Sequence, residues 1–270
     1  MQFADLALSK RLEQAEGNAC IQFAQAKRRL DPASRVEWIK SDGIYAAFDG
    51  PESPVTQSFG LGLFEEVTEK SLNDIERFFF DRGAPTVHEV SPFAGVATID
   101  LLCTRNYRPI ELSSVLYRAL DLPPTAQPTN INVRVIAAEE APIWAKVNAQ
   151  GWASGNPAIR DLVLDSGAIA AARDETICFL AEIDGRPGAA GALSVFDGVA
   201  LFAGASTIPE LRGKGLQAAL LAERIRYAHN HDCDLTMMVT EVGSTSQRNA
   251  ERAGFRIAYT RTKWKLSKVQ

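Results

Sequence analysis

The 270-residue sequence is short of the features that mark membrane, nucleic-acid-binding and disulfide-stabilised proteins. No apolar run approaches the roughly 20 residues needed to span a bilayer, so we expect no membrane partner. The net charge is −4, which gives no reason to expect nucleic acid as a partner. Four cysteines are scattered without CxxC spacing, a pattern that favours reduced, buried thiols. The N-terminal residues lack a basic segment followed by an apolar core, so we expect a cytoplasmic protein without a secretory signal.

Histidine is also scarce, with three in the chain. His229 and His231 flank Asn230 near a predicted helix end, and the sequence places no third metal ligand beside them. We interpret the pair as a basic helix terminus that complements the helix dipole, and we expect no metal.

The composition, 46% hydrophobic and 23% charged, is that of a globular protein with room for two domains. Residues 122–130 contain three closely spaced prolines and predict an extended linker. We therefore expect one α/β domain at 1–121, a linker at 122–130 and a second domain at 131–270.

Hydrophobic periodicity predicts the secondary structure of both halves. In the first half we expect helices at 3–30, 68–81 and 97–105, and strands at 35–39, 43–48, 59–63, 86–90 and 111–117. In the second half the predicted order is one strand, two helices, three strands, then helix, strand, helix, strand, with bounds 132–136, 138–150, 158–172, 176–183, 188–196, 199–208, 216–230, 235–240, 244–253 and 254–264.

A glycine-rich turn in the second half is the most informative stretch. The apolar strand 199–208 is broken by Pro209, and Arg212-Gly213-Lys214-Gly215 then leads directly into a predicted helix. Two glycines at the start of a helix let backbone N–H groups converge on one point, and the helix dipole adds to their attraction for an anion. With Arg212 and Lys214 at the rim, the predicted ligand group is a phosphate.

Other interpretations of this turn are weaker. Gly213, Gly215 and Ala218 fit the spacing of the dinucleotide fingerprint of oxidoreductases. However, four residues separate Gly213 from the strand, and the nearest acids, Asp232 and Asp234, precede the next strand. A Walker loop is excluded because no Ser or Thr follows the Gly-Lys pair. An ordinary strand-to-helix turn is the remaining alternative.

The turn resembles motif A of the GNAT (GCN5-related) N-acetyltransferases, in which Gln or Arg is followed by Gly-x-Gly/Ala after two spacers. Gly213 and Gly215 match, while Glu210 departs from the first position. The predicted order of elements from Asn132 to Lys268 is also the GNAT order, and Gly254-Phe255 looks like the end of the family's motif B. The resemblance implies a mixed α/β, GNAT-like acyl-CoA acyltransferase fold.

The resemblance also implies acetyl-CoA as co-substrate. Backbone N–H groups from Leu211 to Leu216 would hold its pyrophosphate, and the strand through Ser206, Thr207 and Ile208 would pair with the pantetheine arm. The expected CoA-binding residues are Ser206, Thr207, Ile208, Leu211, Arg212, Gly213, Lys214, Gly215, Leu216 and Gln217. A strand N–H near Thr207 or Ile208 would polarise the acyl carbonyl.

The catalytic residues depart from the family pattern. Many GNAT members protonate the leaving thiolate with a Tyr whose position here is Ala250, and an earlier Asn position falls on Gly243. Water, Ser244, Ser246 or Tyr259 could replace that Tyr. The best general-base candidate is Glu241 at the end of a strand, with a solvated loop acid as the alternative interpretation. Trp152 and Asn156 are candidates for the acceptor pocket, although a Trp is more often core or interface.

The first half repeats the last part of the second half. A shift of 148 residues superposes helix, strand, helix and strand, but it places Glu65 on Gly213 and Val67 on Gly215. We therefore hypothesise a tandem arrangement in which a degenerate N-terminal copy has lost CoA binding. An unrelated α/β domain is the alternative.

The basic C-terminal positions Arg261, Lys263, Lys265 and Lys268 alternate with other residues and predict the solvated face of an edge strand. The expected activity is transfer of an acetyl group from acetyl-CoA to a primary amine of a small molecule or protein. The alternative is an acyl-CoA-binding regulatory module without turnover, which Ala250 favours. The acceptor cannot be identified from the sequence, and homodimer formation is left open.

Overall fold

The computed structural model describes residues 3–121, 130–153 and 160–267. These residues form two compact units, each assembled from separate stretches of chain. The first unit comprises Met1–Leu116, Thr240–Gln247 and Ile257–Gln270, and the second comprises Tyr117–Val239 and Arg248–Arg256. The predicted linker lies outside the described residues except for Asn130, and the domain boundary placed there stays a prediction.

The first half contains three helices and five strands among the described residues. They are α1 (Leu6–Leu30), β1 (Glu37–Ser41), β2 (Ile44–Phe48), β3 (Gln57–Phe59), α2 (Glu69–Phe80), β4 (Thr86–Val90), α3 (Gly95–Thr104) and β5 (Arg108–Ala119). Their order confirms the predicted one. Asp5 caps α1 by accepting from the Leu8 N–H, and Thr68 and Ser71 form a capping box at the start of α2.

The second half contains four helices and six strands among the described residues. They are β6 (Ile131–Val135), α4 (Ala141–Trp152), α5 (Arg160–Ala171), β7 (Thr176–Ile183), β8 (Arg186–Phe196), β9 (Val199–Thr207), α6 (Leu216–His229), β10 (Leu235–Glu241), α7 (Thr245–Arg252) and β11 (Arg256–Leu266). This is the predicted order. The β7–β8 and β8–β9 turns place Asp-Gly pairs in the left-handed region, as two-residue hairpins of type I′ require.

The first unit is built on strands in the order β1-β2-β3-β4-β11-β5. β1–β2, β2–β3 and β4–β11 pair antiparallel, while β3 and β4 are parallel at Ser58 and His88. One apolar cluster is made by α2, α3 and the strands and includes Phe48, Leu72, Phe79, Leu102 and Trp264.

A buried ionic network lies in the first unit. Arg261 on β11 contacts Glu13 and Glu16 of α1 and Glu89 of β4, and its side chain is 1% exposed. Lys263 binds Glu89 and Glu111. The prediction of a solvated edge-strand face is therefore wrong for Arg261 and Lys263, because β11 lies between β4 and β5. Lys268, which the prediction also named, lies outside the described residues.

The second unit is built on strands in the order β10-β9-β8-β7-β6. β6 to β9 form an antiparallel meander, and β10 pairs parallel to β9. The side chain of Trp144 on α4 is buried and donates to the carbonyl oxygens of Phe179 and Gly191 at 3.1 and 3.2 Å.

β11 and the end of β5 each lie in the unit that the other half of the sequence mainly forms. β11, the last described strand of the chain, pairs with β4 of the first half, joining Thr262–Leu266 to Thr86–Val90. In the second unit, the Leu120 N–H after β5 donates to the Asp234 carbonyl, and the Thr236 hydroxyl donates to the Arg118 carbonyl. Each unit therefore contains a strand or strand end from the other half of the sequence.

The cysteines follow the expectation in part. All four are free; Cys178 and Cys233 are buried, Cys20 is half-buried and Cys103 is exposed on α3. Burial was expected for Cys103, but Thr98 and Leu102 form the buried side of α3 and Cys103 lies on another side. Among the described helices, none combines the length and apolar character needed to cross a membrane.

Candidate functional site

The glycine-rich turn lies in the second unit between β9 and α6. β9 ends at Thr207, a short 3₁₀ turn covers Pro209–Leu211, and α6 begins at Leu216. Leu211 is buried and packs against Gly188 of β8, where a Cβ would lie only 2.4 Å from the Leu211 Cδ1. The turn is therefore anchored to the sheet by one apolar side chain.

The two glycines of the turn have left-handed backbones, with φ of +75° at Gly213 and +87° at Gly215. An L side chain rarely adopts this conformation, which explains glycine at both positions. A Cβ built on Gly213 would meet no atom within 4 Å, so the space beside it is open. Gly215 is the N-cap of α6 and provides no side-chain acceptor, which leaves the N–H groups of the first helical turn without a side-chain cap.

Arg212 is fixed at the edge of this turn. Its Nε donates to the Thr207 carbonyl at 3.2 Å, and its Nη2 donates to the carbonyl of Gly151 on α4 at 2.9 Å. Glu210, Arg212 and Lys214 are all exposed. The guanidinium thus links the end of β9 to the end of α4, a role that the sequence did not indicate.

The parallel pairing of β9 with β10 is short. It joins three residue pairs, and the last of them is Leu201 with Met237. β9 continues for six residues beyond Leu201 to Thr207. Over the described residues, this arm of β9 has its β10-facing edge outside that ladder, and it leads directly to the glycine turn.

Thr207 and Ile208, the two residues predicted to bind the acyl carbonyl, differ in the direction of their backbone N–H groups. The Ile208 N–H donates to the Gly188 carbonyl at 2.9 Å, so it is used by β8. The expectation that Ile208 could polarise an acyl carbonyl is therefore wrong. Because successive N–H groups of a strand point to opposite edges, the Thr207 N–H faces away from β8. The Thr207 Oγ1 is buried without a hydrogen-bond partner among the described residues.

The three predicted catalytic residues have different surroundings. Glu241 is exposed and is the last residue of β10. Ser244 caps α7, since its Oγ accepts from the Gln247 N–H at 3.1 Å. Tyr259 is buried in the first unit, donates to Glu13 Oε1 at 2.9 Å, and has its pKa raised mainly by burial. Tyr259 therefore has no part in the function proposed below.

The predicted acceptor residues are only partly described. Trp152 ends α4 and is 53% exposed, so the alternative that it is a core residue is wrong. Asn156 lies outside the described residues. Ala250, at the position of the missing tyrosine, is buried on α7 and carries no acidic group.

Sequence reasoning predicted α4 but missed that it supports β9 through hydrogen bonds. Asn148 on α4 is buried, and its Nδ2 donates to the Gly204 carbonyl of β9. The Ser206 hydroxyl donates to the Asn148 carbonyl at 3.0 Å, so this expected CoA-binding residue is engaged by α4. A polar Asn within the apolar face of a helix was the available signal.

In the described part of the chain, no group of three or more His, Cys, Asp and Glu side chains is placed to hold a metal ion. His229 lies in the last turn of α6, with its Nδ1 3.1 Å from the Leu120 carbonyl oxygen.

No protein-family model and no curated protein sequence matches this chain. Several solved structures match this chain. A GCN5-related N-acetyltransferase from Kribbella flavida is 19% identical, has a TM-score of 0.68, and covers 95% of both chains. A tandem GNAT protein from the clavulanic acid biosynthesis pathway is 14% identical, has a TM-score of 0.60, and covers 98% of this chain and 96% of its own. A GCN5-related N-acetyltransferase from Sphaerobacter thermophilus is 14% identical with a TM-score of 0.55, covering 86% and 75%. The chain therefore has the mixed α/β fold of the GCN5-related N-acetyltransferases, and its likeness to a tandem GNAT extends over nearly the whole sequence.

Proposed function

We propose that this protein is an N-acyltransferase that moves an acetyl group from acetyl-CoA to a primary amine of a small molecule or protein. The observation that carries the proposal is the uncapped start of α6, with two left-handed glycines and open space beside Gly213. Such a helix start binds phosphate groups well. The likeness to GCN5-related N-acetyltransferases supports acyl transfer in general.

The residues present fit a CoA diphosphate. Backbone N–H groups from Gly213 to Leu216, together with Gln217, would surround it, and the cations of Arg212 and Lys214 would lie at the rim. The Leu211 and Arg212 N–H groups were expected to join them, but they donate to the Ile208 and Pro209 carbonyls at 3.1 and 3.3 Å. A side chain at Gly213 would occupy the open space that the diphosphate needs. The β9 arm through Ser206 and Thr207 would pair with the pantetheine, as an added strand does at a sheet edge.

The thioester supplies an activated acyl group whose sulfur leaves when the amine nitrogen bonds to the carbonyl carbon. The Thr207 N–H would donate to the carbonyl oxygen as negative charge develops there. Water would accept the proton that the amine loses. The thiol has a pKa of about 8.5, so the thiolate leaves without a strong acid and is protonated by water. This fits the alanine at position 250.

The second candidate function is acyl-CoA binding without turnover, which the absence of an acidic group at Ala250 favours. The two functions share the diphosphate site and differ in whether an amine releases free CoA thiol. A panel of small amines and lysine peptides, incubated with acetyl-CoA and read out as free thiol, separates them. Turnover with any amine supports the transferase, and acetyl-CoA binding without thiol release supports the regulatory module.

The binding site itself is tested by Gly213→Glu. The new carboxylate would lie in the space proposed for the diphosphate and repel it, so we expect acetyl-CoA affinity to fall at least 100-fold by calorimetry. Gly185→Glu is the matched control, because Gly185 also has positive φ, +72°, with no atom within 4 Å of a Cβ. The control should keep wild-type affinity. Equal affinity of both variants would refute the site.

A further inference from the structure

The pairing register between β8 and β9 shifts at one point in the second unit. Ala192 pairs with Ala203, and the next pair joins Ala190 to Ser206. Gly204 and Ala205 of β9 therefore lie opposite the single residue Gly191 of β8, which is a β-bulge. Gly204 has a left-handed backbone with φ of +61°.

Three buried side chains donate to carbonyl oxygens at this bulge. From α4, the Trp144 indole donates to Gly191 at 3.2 Å, and the Asn148 amide donates to Gly204. From α6, the Arg224 guanidinium donates to Ala192 at 3.1 Å. These side chains are 1%, 4% and 1% exposed.

Arg224 is unusual because a fully buried arginine is normally paired with a carboxylate. Burial lowers its pKa to about 9, and no carboxylate pairs with it among the described residues. Its guanidinium lies 4.8 Å from the centre of the Phe202 ring, and its Nε donates to the Leu220 carbonyl. An uninterrupted ladder would satisfy the same backbone carbonyls without burying a charge or an amide. The three buried donors therefore stabilise the bulged backbone of β9, which ladder hydrogen bonds alone would not hold.

The bulge is placed where it controls the proposed donor site. It begins three residues after Leu201, the last β9 residue paired with β10, and ends just before Ser206 and Thr207. A bulge bends its strand and changes the direction of the groups that follow. The direction of the Thr207 N–H is therefore set by the bulge.

We infer that Asn148 and Arg224, with Trp144, are positioning residues that hold the β9 bulge and thereby aim the Thr207 N–H at the acyl carbonyl. The inference rests on the proposed function. The bulge is separate from the glycine turn, so loosening it should change acyl transfer while leaving the diphosphate site intact.

The experiment compares Asn148→Ala, Arg224→Met and Trp144→Phe with the wild type. Arg226→Met, on the same helix but with its side chain 56% exposed, is the control. For each protein we would measure the Kd for CoA, the kcat with the best amine, and hydrogen exchange of the 203–208 amides. We expect CoA affinity within about threefold of wild type, kcat at least tenfold lower, and exchange at 203–208 at least tenfold faster, with β7 unchanged. Arg224→Lys, which keeps one donor, should recover part of the kcat.

Trp144→Phe removes the N–H but keeps an aromatic ring, and Arg224→Lys keeps one donor, so these two variants keep the test valid if the larger truncations prevent folding. Unchanged kcat and exchange in variants that fold would overturn the inference. An equal loss of CoA affinity and kcat would also overturn it, because that pattern marks general destabilisation. If the wild type binds no CoA and transfers no acetyl group, the proposed function fails instead. The exchange at 203–208 then still decides whether these side chains hold the bulge.

Discussion

Arg261 and Glu13 form an ion pair 248 residues apart in sequence, with 3.2 Å between Nη1 and Oε1 and side chains that are 1% and 0% exposed. Glu16 and Glu89 also contact Arg261, and the Tyr259 hydroxyl donates to Glu13. Three carboxylates therefore surround one guanidinium inside the first unit. Burial raises the pKa of Glu13 from 4.5 to about 7, outweighing the opposing effect of Arg261.

This pKa predicts a pH dependence of stability. Because the folded-state pKa of Glu13 lies above its unfolded value, the folded state favours the protonated acid. The stability that Glu13 contributes is complete below about pH 4.5 and is lost as the pH rises through 7. At about 1.4 kcal/mol per pKa unit, the loss is on the order of 3 kcal/mol. Glu13→Gln cannot titrate, so the stability difference between wild type and variant should fall by about this amount between pH 4.5 and 8.

Denaturant unfolding at several pH values measures this difference, and subtraction removes titrating groups that both proteins share. Asp74→Asn, at an exposed position on α2, is the control and should give a nearly pH-independent difference over that range. A difference for Glu13→Gln that stays constant, or grows with pH, would show that Glu13 is ionised in the folded protein.

The contact of Leu211 with Gly188 predicts that a single methyl group on β8 weakens CoA binding. The Cβ of Gly188→Ala would lie 2.4 Å from the Leu211 Cδ1 and 3.1 Å from the Leu216 Cδ1, so the glycine turn must shift. We expect CoA affinity to fall about tenfold, which corresponds to ~1.4 kcal/mol. In a Leu211→Ala background the collision is relieved, and Gly188→Ala should have little further effect. Additive losses measured by calorimetry would contradict this anchoring of the turn.

The structure of the first half predicts that each chain binds a single CoA. The start of α2, which corresponds to α6, is already satisfied by the capping box of Thr68 and Ser71, and Glu65 and Glu66 precede it. The nearby Gly60 and Gly62 are crowded, with only 2.5 Å from a Cβ to the nearest atom. Calorimetry should therefore give one site, and Gly213→Glu should remove all binding. A second site that survives Gly213→Glu would show that the first half still binds CoA.

Local patterns in the sequence were sufficient for most elements. Alternating apolar residues gave the bounds of β4 and β7, Thr86–Val90 and Thr176–Ile183, as the structure has them. The 148-residue repeat is followed within two residues at the starts of α2, β4, α3 and β5 and their counterparts. The glycine turn could be located because two glycines directly before a helix, with cations beside them, are typical of an anion-binding turn.

The interpretations that failed depended on long-range pairing. The strand predicted at 59–63 is β3 at Gln57–Phe59, because the chain turns at Gly60 and Gly62. The charges on β11 were read as solvated because alternation cannot show which strands will flank it. The role of Tyr259 as an acid depended on exposure, and a carboxylate on α1 binds it instead. The β-bulge was invisible because its donors come from two other helices.

The pairing of β11 with β4 predicts that residues 131–270 do not fold alone, although the predicted linker at 122–130 suggested a domain boundary. In a fragment of these residues, β11 would lack β4, its partner over Thr262–Leu266. β10 would lack the hydrogen bonds that the Asp234 carbonyl accepts from Leu120 and that the Thr236 hydroxyl donates to Arg118. Unpaired strand edges of this kind aggregate. We therefore expect the fragment to show no cooperative unfolding by circular dichroism and to bind CoA only when residues 1–121 are co-expressed with it. Cooperative unfolding of the isolated fragment with wild-type CoA affinity would instead establish 131–270 as an independent domain.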